Sequence, residues 1–259
     1  MSPIRLAGKH AVIVGATGII GIQIARAFAA HGAVVSLLGR SAVKARPKLE
    51  PQLTAFQAGS ASPDRPSAHQ FIRLDVADSA SIKDVFGPPG RQEGGASVGP
   101  MDILVNCAGI AQTTLLKRTS DEALASILDT NLLATMLVCK HARVRHHGCI
   151  INVSSLMAIK AGLGVTAYAA SKAGVVAFTR AFCQEMAARS IRVNALLPGW
   201  VQSPMWDSLK PELKQAYLSE TPLKRVAHPA EVAHAAIFLA TNGFANNCVL
   251  NLDGGLSAA

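Results

Sequence analysis

His10-Ala-Val-Ile-Val14, Gly15-Ala16-Thr17-Gly18-Ile19-Ile20-Gly21 and Ile22-Gln23-Ile24-Ala25-Arg26-Ala27-Phe28 form one unbroken stretch whose reading decides the fold. The first five residues read as a short buried strand, and the last seven have helical periodicity. Between them the glycines let another backbone come close, and the helix N-terminus that follows can hold a pyrophosphate. Strand, glycine turn and helix in that order point to a dinucleotide site built on Gly15, Thr17, Gly18, Ile20 and Gly21. A tight β–α turn with no ligand is the plainer alternative.

The pattern repeats outward from there. Ala33 to Leu38 is a second buried strand, ending at Gly39-Arg40-Ser41. A carboxylate at that point would favour NAD, whereas an arginine suits a 2′-phosphate, so Arg40, beside Ser41, points to NADPH, with an ordinary surface arginine as the plainer alternative. Further strands are expected over Gln70–Leu74, Asp102–Val105, Cys149–Val153, Ile191–Leu196 and Cys248–Leu252. Pro47, Pro51, Pro63 and Pro66 keep any helix between residues 41 and 68 short or broken. Residues 87–100 hold five Gly and three Pro and read as a flexible surface loop. Thr119-Ser120-Asp121-Glu122 reads as a capping box opening a long helix, and Pro229 as the first turn of another. Strands that alternate with helices throughout give a doubly wound parallel α/β sheet with helices on both faces. Nothing divides it, so residues 1–259 form one Rossmann-type domain, with its ligands at the carboxyl ends of the strands.

Composition agrees with a compact chain: 50% hydrophobic and 16% charged residues over 259 positions. No apolar run reaches the ~18 residues of a membrane span, and the residues before the first strand are too few for a signal peptide. A soluble, non-secreted protein is expected, in the cytoplasm or the mitochondrial matrix. Cys107, Cys139, Cys149, Cys183 and Cys248 are scattered and odd in number, with no Cys-x-x-Cys pair. That argues against a disulfide frame and against a metal site. The net charge of +9 comes with no arginine-rich block and no nucleic-acid reader motif. A phosphorylated cofactor or an acidic carrier suits such a surface better.

The chemistry lies in Ser155 to Lys172. Tyr168 stands four residues before Lys172, which puts both side chains on one helix face. An ammonium that close is expected to lower the phenol's pKa from ~10, tuning it for proton exchange with a carbonyl or alcohol. Ser155 follows the apolar run Cys149–Val153 and would deliver a hydroxyl from a strand end. In the helix after Thr119, Leu124, Leu128, Asn131 and Thr135 are expected to share a face, and a buried Asn131 needs partners for its amide.

Ser155, Tyr168 and Lys172 at this spacing resemble the catalytic set of the short-chain dehydrogenase/reductase family, and the resemblance runs from about residue 8 to residue 255. Gly15-x-x-Gly18-x-x-Gly21 departs from the usual pattern, which would put a glycine at Ile19. The resemblance implies that Asp75 binds the adenine amino group, with Val76 beside the ring. It also implies that Asn106, Ala108 and Gly109 of Asn106-Cys107-Ala108-Gly109 line the cofactor. In Pro198-Gly199-Trp200-Val201-Gln202-Ser203 it places Pro198, Gly199, Val201 and Ser203 around the nicotinamide carboxamide. Residues 204–220 resemble a substrate lid, with Trp206 and Leu209 as pocket walls or plain core. It further implies hydride transfer to a carbonyl carbon, with Tyr168 giving the proton and Ser155 holding the oxygen. Lys172 would tune Tyr168 and bind the nicotinamide ribose, and Asn131 would hold a water behind Lys172 or only bond the main chain.

Within the family, Thr130-Asn131-Leu132, Tyr168–Gly174 and Asp253-Gly254-Gly255 look most like the 3-oxoacyl-(acyl-carrier-protein) reductases and related mitochondrial carbonyl reductases. The substrate implied is a 3-oxoacyl thioester on an acidic acyl carrier protein. A quinone, steroid or other small carbonyl is the second reading, and a silent NADPH-sensing regulator the third. Arg143, Arg145, His146 and Arg189 would either dock the carrier or be solvated helix ends. Ala173, Gly174, Ala177 and Ala181 would pack across a two-fold axis of a homotetramer.

Overall fold

The structure is a computed structural model and describes residues 6–57, 64–87, 97–160 and 162–258. Most of the expected 87–100 loop lies outside these residues. Strands β1 (His10–Val14), β2 (Val34–Gly39), β3 (Gln70–Arg73), β4 (Met101–Asn106), β5 (Val144–Val153), β6 (Arg192–Pro198) and β7 (Val249–Leu252) form one sheet in the order β3-β2-β1-β4-β5-β6-β7. Every pairing is parallel. The order reverses between β1 and β4, which opens a crevice at the carboxyl ends of those two strands.

Apolar runs become strands here because a parallel sheet is covered on both faces. On one face α1 (Ile19–Ala30) and α9 (Pro229–Thr241) pack on Ile13, Val35, Val105 and Ile151. The other face, with Val12, Leu104, Ile150 and Val193, is covered by α3 (Ser79–Phe86), α5 (Ala134–His141) and α6 (Thr166–Glu185). Between β2 and β3 the chain forms only α2 (Ala42–Leu49), with Pro47 inside it, and a 3-10 turn at Glu50–Gln52. The proline density required that short a helix.

Three expectations change. The capping box does not start at Thr119: α4 (Asp121–Leu128) is capped by Ser120, whose hydroxyl accepts from Ala123 N at 3.3 Å, while Thr119 Oγ1 donates to Leu115 O at 3.0 Å. A π turn at Asp129–Leu133 then joins α4 to α5. Its wider turn rotates the face, so Ile127 is buried and Leu128 is 41% exposed rather than aligned with Asn131. Finally, β5 starts earlier than its apolar run, because the polar residues 145–148 bulge out between the pairs Met101–Val144 and Ile103–Cys149.

The helical run Asp121–His141 has the length and mean hydropathy (1.4) of a membrane span, which the sequence reading did not anticipate. In the fold it is a covering helix. Asn131 and Thr135 on it are buried, and Leu132 packs where Gly174 leaves room on α6.

A polar chain crosses the core beneath the crevice. Asn106 Nδ2 donates to Asn152 Oδ1 (2.9 Å), Asn152 Nδ2 to Thr179 Oγ1 (2.9 Å), and Thr179 Oγ1 to Val175 O (2.8 Å). It ties β4 and β5 to α6 with fully buried groups. Thr179→Val would orphan the Asn152 donor, so urea unfolding should show a loss of about 1–3 kcal/mol with an unchanged slope.

Candidate active site

The glycine turn after β1 is as tight as its composition implies. Gly15 has φ +81°, and a Cβ there would stand 2.6 Å from Ala108 N. A Cβ on Gly21 would stand 2.4 Å from Gly15 O. These two glycines are therefore required by close approach. Gly18 is the N-cap of α1 with an ordinary φ of −75°, and no side chain caps that helix among the described residues. Ile19 takes the first helical position half-buried, while Ile20 and Ile22 pack on the core. The missing middle glycine thus costs no backbone strain.

At the end of β2, Ser41 Oγ donates to Thr17 Oγ1 at 3.3 Å, joining the glycine turn to the Arg40 segment. Arg40 is exposed and makes no ion pair among the described residues. Asp75 Oδ1 accepts from Ala77 N at 3.1 Å, and Val76 lines a small cleft with Val14, Asn106 and Ala108. Glycine cradle, uncapped helix start and free cation all fit a phosphorylated dinucleotide.

The candidate reacting groups meet at the carboxyl ends of β4 and β5. Ser155 is extended and follows β5, and its hydroxyl accepts from Met157 N at 3.1 Å. The Ser155 side chain acts on the Tyr168 phenol, favouring its ionised form. Lys172, 5% exposed, donates from Nζ to Val153 O at 3.0 Å and stands 5.8 Å from the Tyr168 ring centre. Ser154 Oγ donates to Lys172 O at 2.7 Å and fixes the same turn of α6. Asn131 is fully buried: its Oδ1 accepts from Ile110 N (2.8 Å), and its Nδ2 donates to Ile110 O (3.0 Å) and Ser171 Oγ (3.0 Å). A Cβ on Gly109 would stand 3.1 Å from Asn131 Oδ1 and 3.3 Å from Lys172 Nζ, so Asn131 and Lys172 meet over that glycine.

The phenol shifts against expectation. Burial pushes the Tyr168 pKa up, and the nearby Ser155 side chain opposes this only in part. Burial likewise pulls Lys172 down to about 8. Burial is the largest cause of both shifts.

Pro198 ends β6, and Gly199 passes so close to the β7 exit that a Cβ would stand 2.8 Å from Asp253 Cα. Val201 turns its side chain into the core and forms a bridge to Ala227. The Ser203 hydroxyl accepts from Trp206 N at 3.2 Å, capping α7 (Pro204–Asp207). Trp200 lies 5.7 Å from Trp206 and 4.3 Å from Tyr217 of α8 (Pro211–Glu220), so the lid helices are pinned by an aromatic cluster. Trp206 is buried and Leu209 half-buried.

The cations Arg143, Arg145, His146 and Arg189 do not border this site. They gather at the start of β5 and after α6, where Arg145 pairs with Asp64 and Arg189 donates to Val144 O. A ten-residue strand separates the two ends, roughly 30 Å if fully extended.

Two residues enter that the sequence did not mark. Cys107 stands close to both Tyr168 and Lys172, and burial pushes its thiol up to about 11, which keeps it neutral there. Gln112 hydrogen-bonds the start of α6. No local pattern singles out either one, because both act through contacts distant in sequence.

A tyrosine, serine and buried lysine lie together at the mouth of the crevice, and comparison with known proteins makes the chain an oxidoreductase acting on CH–OH and C=O groups. The chain belongs to the short-chain dehydrogenase/reductase family. The family model described as enoyl-(acyl carrier protein) reductase matches residues 15–257. Among curated proteins, the chain is 36% identical to a 3-oxoacyl-[acyl-carrier-protein] reductase of Mus musculus, covering 96% of this chain and 98% of that protein. It is 34% identical to the FabG enzyme of that name from Chlamydia muridarum (97% and 98% covered) and to carbonyl reductase family member 4 of Danio rerio (96% and 98%). A solved structure titled as a short chain dehydrogenase/reductase family protein superposes with a TM-score of 0.82 at 29% identity, over 98% of this chain and all of that one.

The depressed Lys172 makes a signed prediction. Its ordinary value is 10.5 and its folded value about 8. The unfolded chain therefore holds an extra proton between these values, and folding is penalised most below about pH 8. Lys172→Met should unfold at higher denaturant than the parent at about pH 7, and that advantage should shrink by about 2–3 kcal/mol on going to about pH 10. Parallel urea titrations at the two pH values would measure it, and a difference independent of pH would contradict it.

Proposed function

We propose that the whole chain is one NADPH-binding reductase domain that converts a 3-oxoacyl thioester, carried by an acyl carrier protein, into its 3-hydroxyacyl form in fatty-acid synthesis. The observation that carries this reading is the Ser155–Tyr168–Lys172 cluster, in which a buried ammonium bonded to the end of β5 stands 5.8 Å from the Tyr168 ring centre and Ser155 acts on the phenol. The names of the curated relatives support the choice of substrate.

Gly15, Thr17, Gly18, Ile20 and Gly21 would hold the pyrophosphate, Arg40 and Ser41 the 2′-phosphate, and Asp75 and Val76 the adenine. Asn106, Ala108, Gly109, Pro198, Gly199, Val201 and Ser203 would enclose the nicotinamide end. Bound there, the reduced dinucleotide supplies the hydride. The raised phenol stays protonated at neutral pH, so Tyr168 serves as the acid for the carbonyl oxygen. Ser155 hydrogen-bonds that oxygen as charge develops on it. Lys172, with a pKa of about 8, is charged at neutral pH and stabilises the phenolate left behind. Asn131, set beside Lys172 over Gly109, would hold the water that returns the proton.

The family model's description favours a second reading, reduction of an enoyl thioester. An enoyl thioester would present only its thioester oxygen to Ser155 and Tyr168, and the names of the curated relatives weigh for the 3-oxo group. A quinone, steroid or other small carbonyl uses the same site, and the silent NADPH sensor has no use for an intact Ser155–Tyr168–Lys172 set. The exposed Ala173, Ala177 and Ala181 of α6, with the exposed Leu128 and Leu133, support a homotetramer built on that helix layer. Gly174 instead makes room for Leu132 within the chain. Five free thiols suit the cytoplasm or mitochondrial matrix.

Loss of NADPH absorbance with acetoacetyl-CoA should be fast and far slower with NADH, while crotonyl-CoA stays inert. Tyr168→Phe should bind NADPH normally and lose at least about a thousandfold in kcat. Arg40→Asp should reverse the preference toward NADH. Turnover of diketones or quinones but not thioesters would move the substrate and leave the chemistry standing. Crotonyl-CoA turnover would favour the enoyl reading, and tight NADPH binding without any turnover would favour the sensor.

A further inference from the structure

The helix that carries Tyr168 and Lys172 has no side-chain cap of its own: Val165 precedes Thr166 and contributes none. The first N–H groups of a helix need acceptors, and those near Tyr168 must hold that residue in place. One acceptor comes from far away in sequence. Gln112 lies on the segment between β4 and α4 and is 4% exposed. Its Oε1 accepts from Ala167 N at 2.8 Å and from Tyr168 N at 3.2 Å. Its Nε2 donates to Thr114 O at 2.9 Å and to Thr119 Oγ1 at 3.3 Å. Both ends of the amide are thus used, and the oxygen is locked toward α6 because the nitrogen is committed to the α4 entry turn.

We propose that Gln112 is a positioning residue for the proton donor, a cap supplied across the crevice that sets where the Tyr168 side chain stands relative to Ser155. The proposal rests on the carbonyl-reductase reading for its kinetic part. Two amides share the task from either end of one short segment. Asn131 clamps Ile110 main chain to Ser171, and Gln112 clamps the next turn to Tyr168 itself. Residues 110–112 are thereby tied at two points to the helix holding the reacting groups, and they follow directly on Asn106–Gly109. A shift in that segment moves the phenol with it. An error of about 1 Å in such a group is enough to cost about a hundredfold in rate.

Two variants separate positioning from plain stability. Gln112→Met and Gln112→Glu both lose the donors to Thr114 and Thr119, so both should melt somewhat below the parent. Only Gln112→Glu keeps acceptor oxygens for the α6 N–H groups. Gln112→Met should lose about ten- to a hundredfold in kcat with acetoacetyl-CoA while KM and NADPH binding hold within about threefold. Gln112→Glu should recover most of that loss. The chain has two tyrosines, so a Tyr217→Phe background leaves Tyr168 alone to report its phenolate absorbance, with or without turnover. In that background Gln112→Met should titrate closer to an ordinary tyrosine than the parent, because the freed turn admits water. Gln112→Glu should titrate above the parent, because the added carboxylate disfavours the phenolate. Equal kcat in both variants and parent-like phenol titrations, with only the melting temperature lowered, would overturn the proposal. A parent protein inert toward every carbonyl would instead defeat the reductase reading, and the phenol titrations would still decide the role of Gln112.

Discussion

A lysine ammonium buried at the end of β5 is the constraint on which the rest of this structure depends. Lys172 has Val153 O as its close partner, lies beneath Tyr168, and faces Asn131 across Gly109. Burying a charge is unfavourable unless its surroundings are fixed, and here they are fixed from three directions. The strand end supplies the carbonyl, Ser154 holds the helix turn, and the Asn106–Asn152–Thr179 chain anchors that helix to the sheet. Those contacts exist only because β4 and β5 lie side by side in register with α6 packed over them.

The same burial explains why the two titratable groups move as they do. In open solvent an ammonium would draw a nearby phenol's pKa down. In this crevice desolvation dominates both, lifting Tyr168 and lowering Lys172. A protonated phenol beside a serine is the right starting state for giving a proton to an oxygen. In the proposed reduction the lysine would meet the charge that appears once the proton has gone.

Much of the fold was legible because a parallel sheet buried on both faces writes its strands as continuous apolar runs. His10–Val14 and Val34–Leu38 are plain examples, and the glycine turn after the first was legible through its neighbours. The reading failed where polar residues do structural work. Arg145 and His146, expected at helix ends or in a docking patch, instead lie in the bulge of β5, and the π turn around Asn131 shifted the helix face so that Leu128 points outward. Ser155, Tyr168 and Lys172 could be named because they sit at a fixed spacing. Gln112 could not, since the N–H groups it caps lie 55 and 56 residues further along the chain, and Arg143 and Arg189 stand at the opposite end of β5.

Hydride delivery to an oxygen-bearing carbon is the central claim, and isotope placement tests it most directly. NADPH deuterated at the transferable position of its dihydronicotinamide would be turned over with acetoacetyl-CoA, and the product examined by mass spectrometry and proton NMR. One deuterium at the newly formed carbinol carbon, with a hydroxyl proton drawn from solvent, is the predicted result. A product without deuterium, or with deuterium on a carbon that bears no oxygen, would contradict the assignment of this site as a carbonyl reductase.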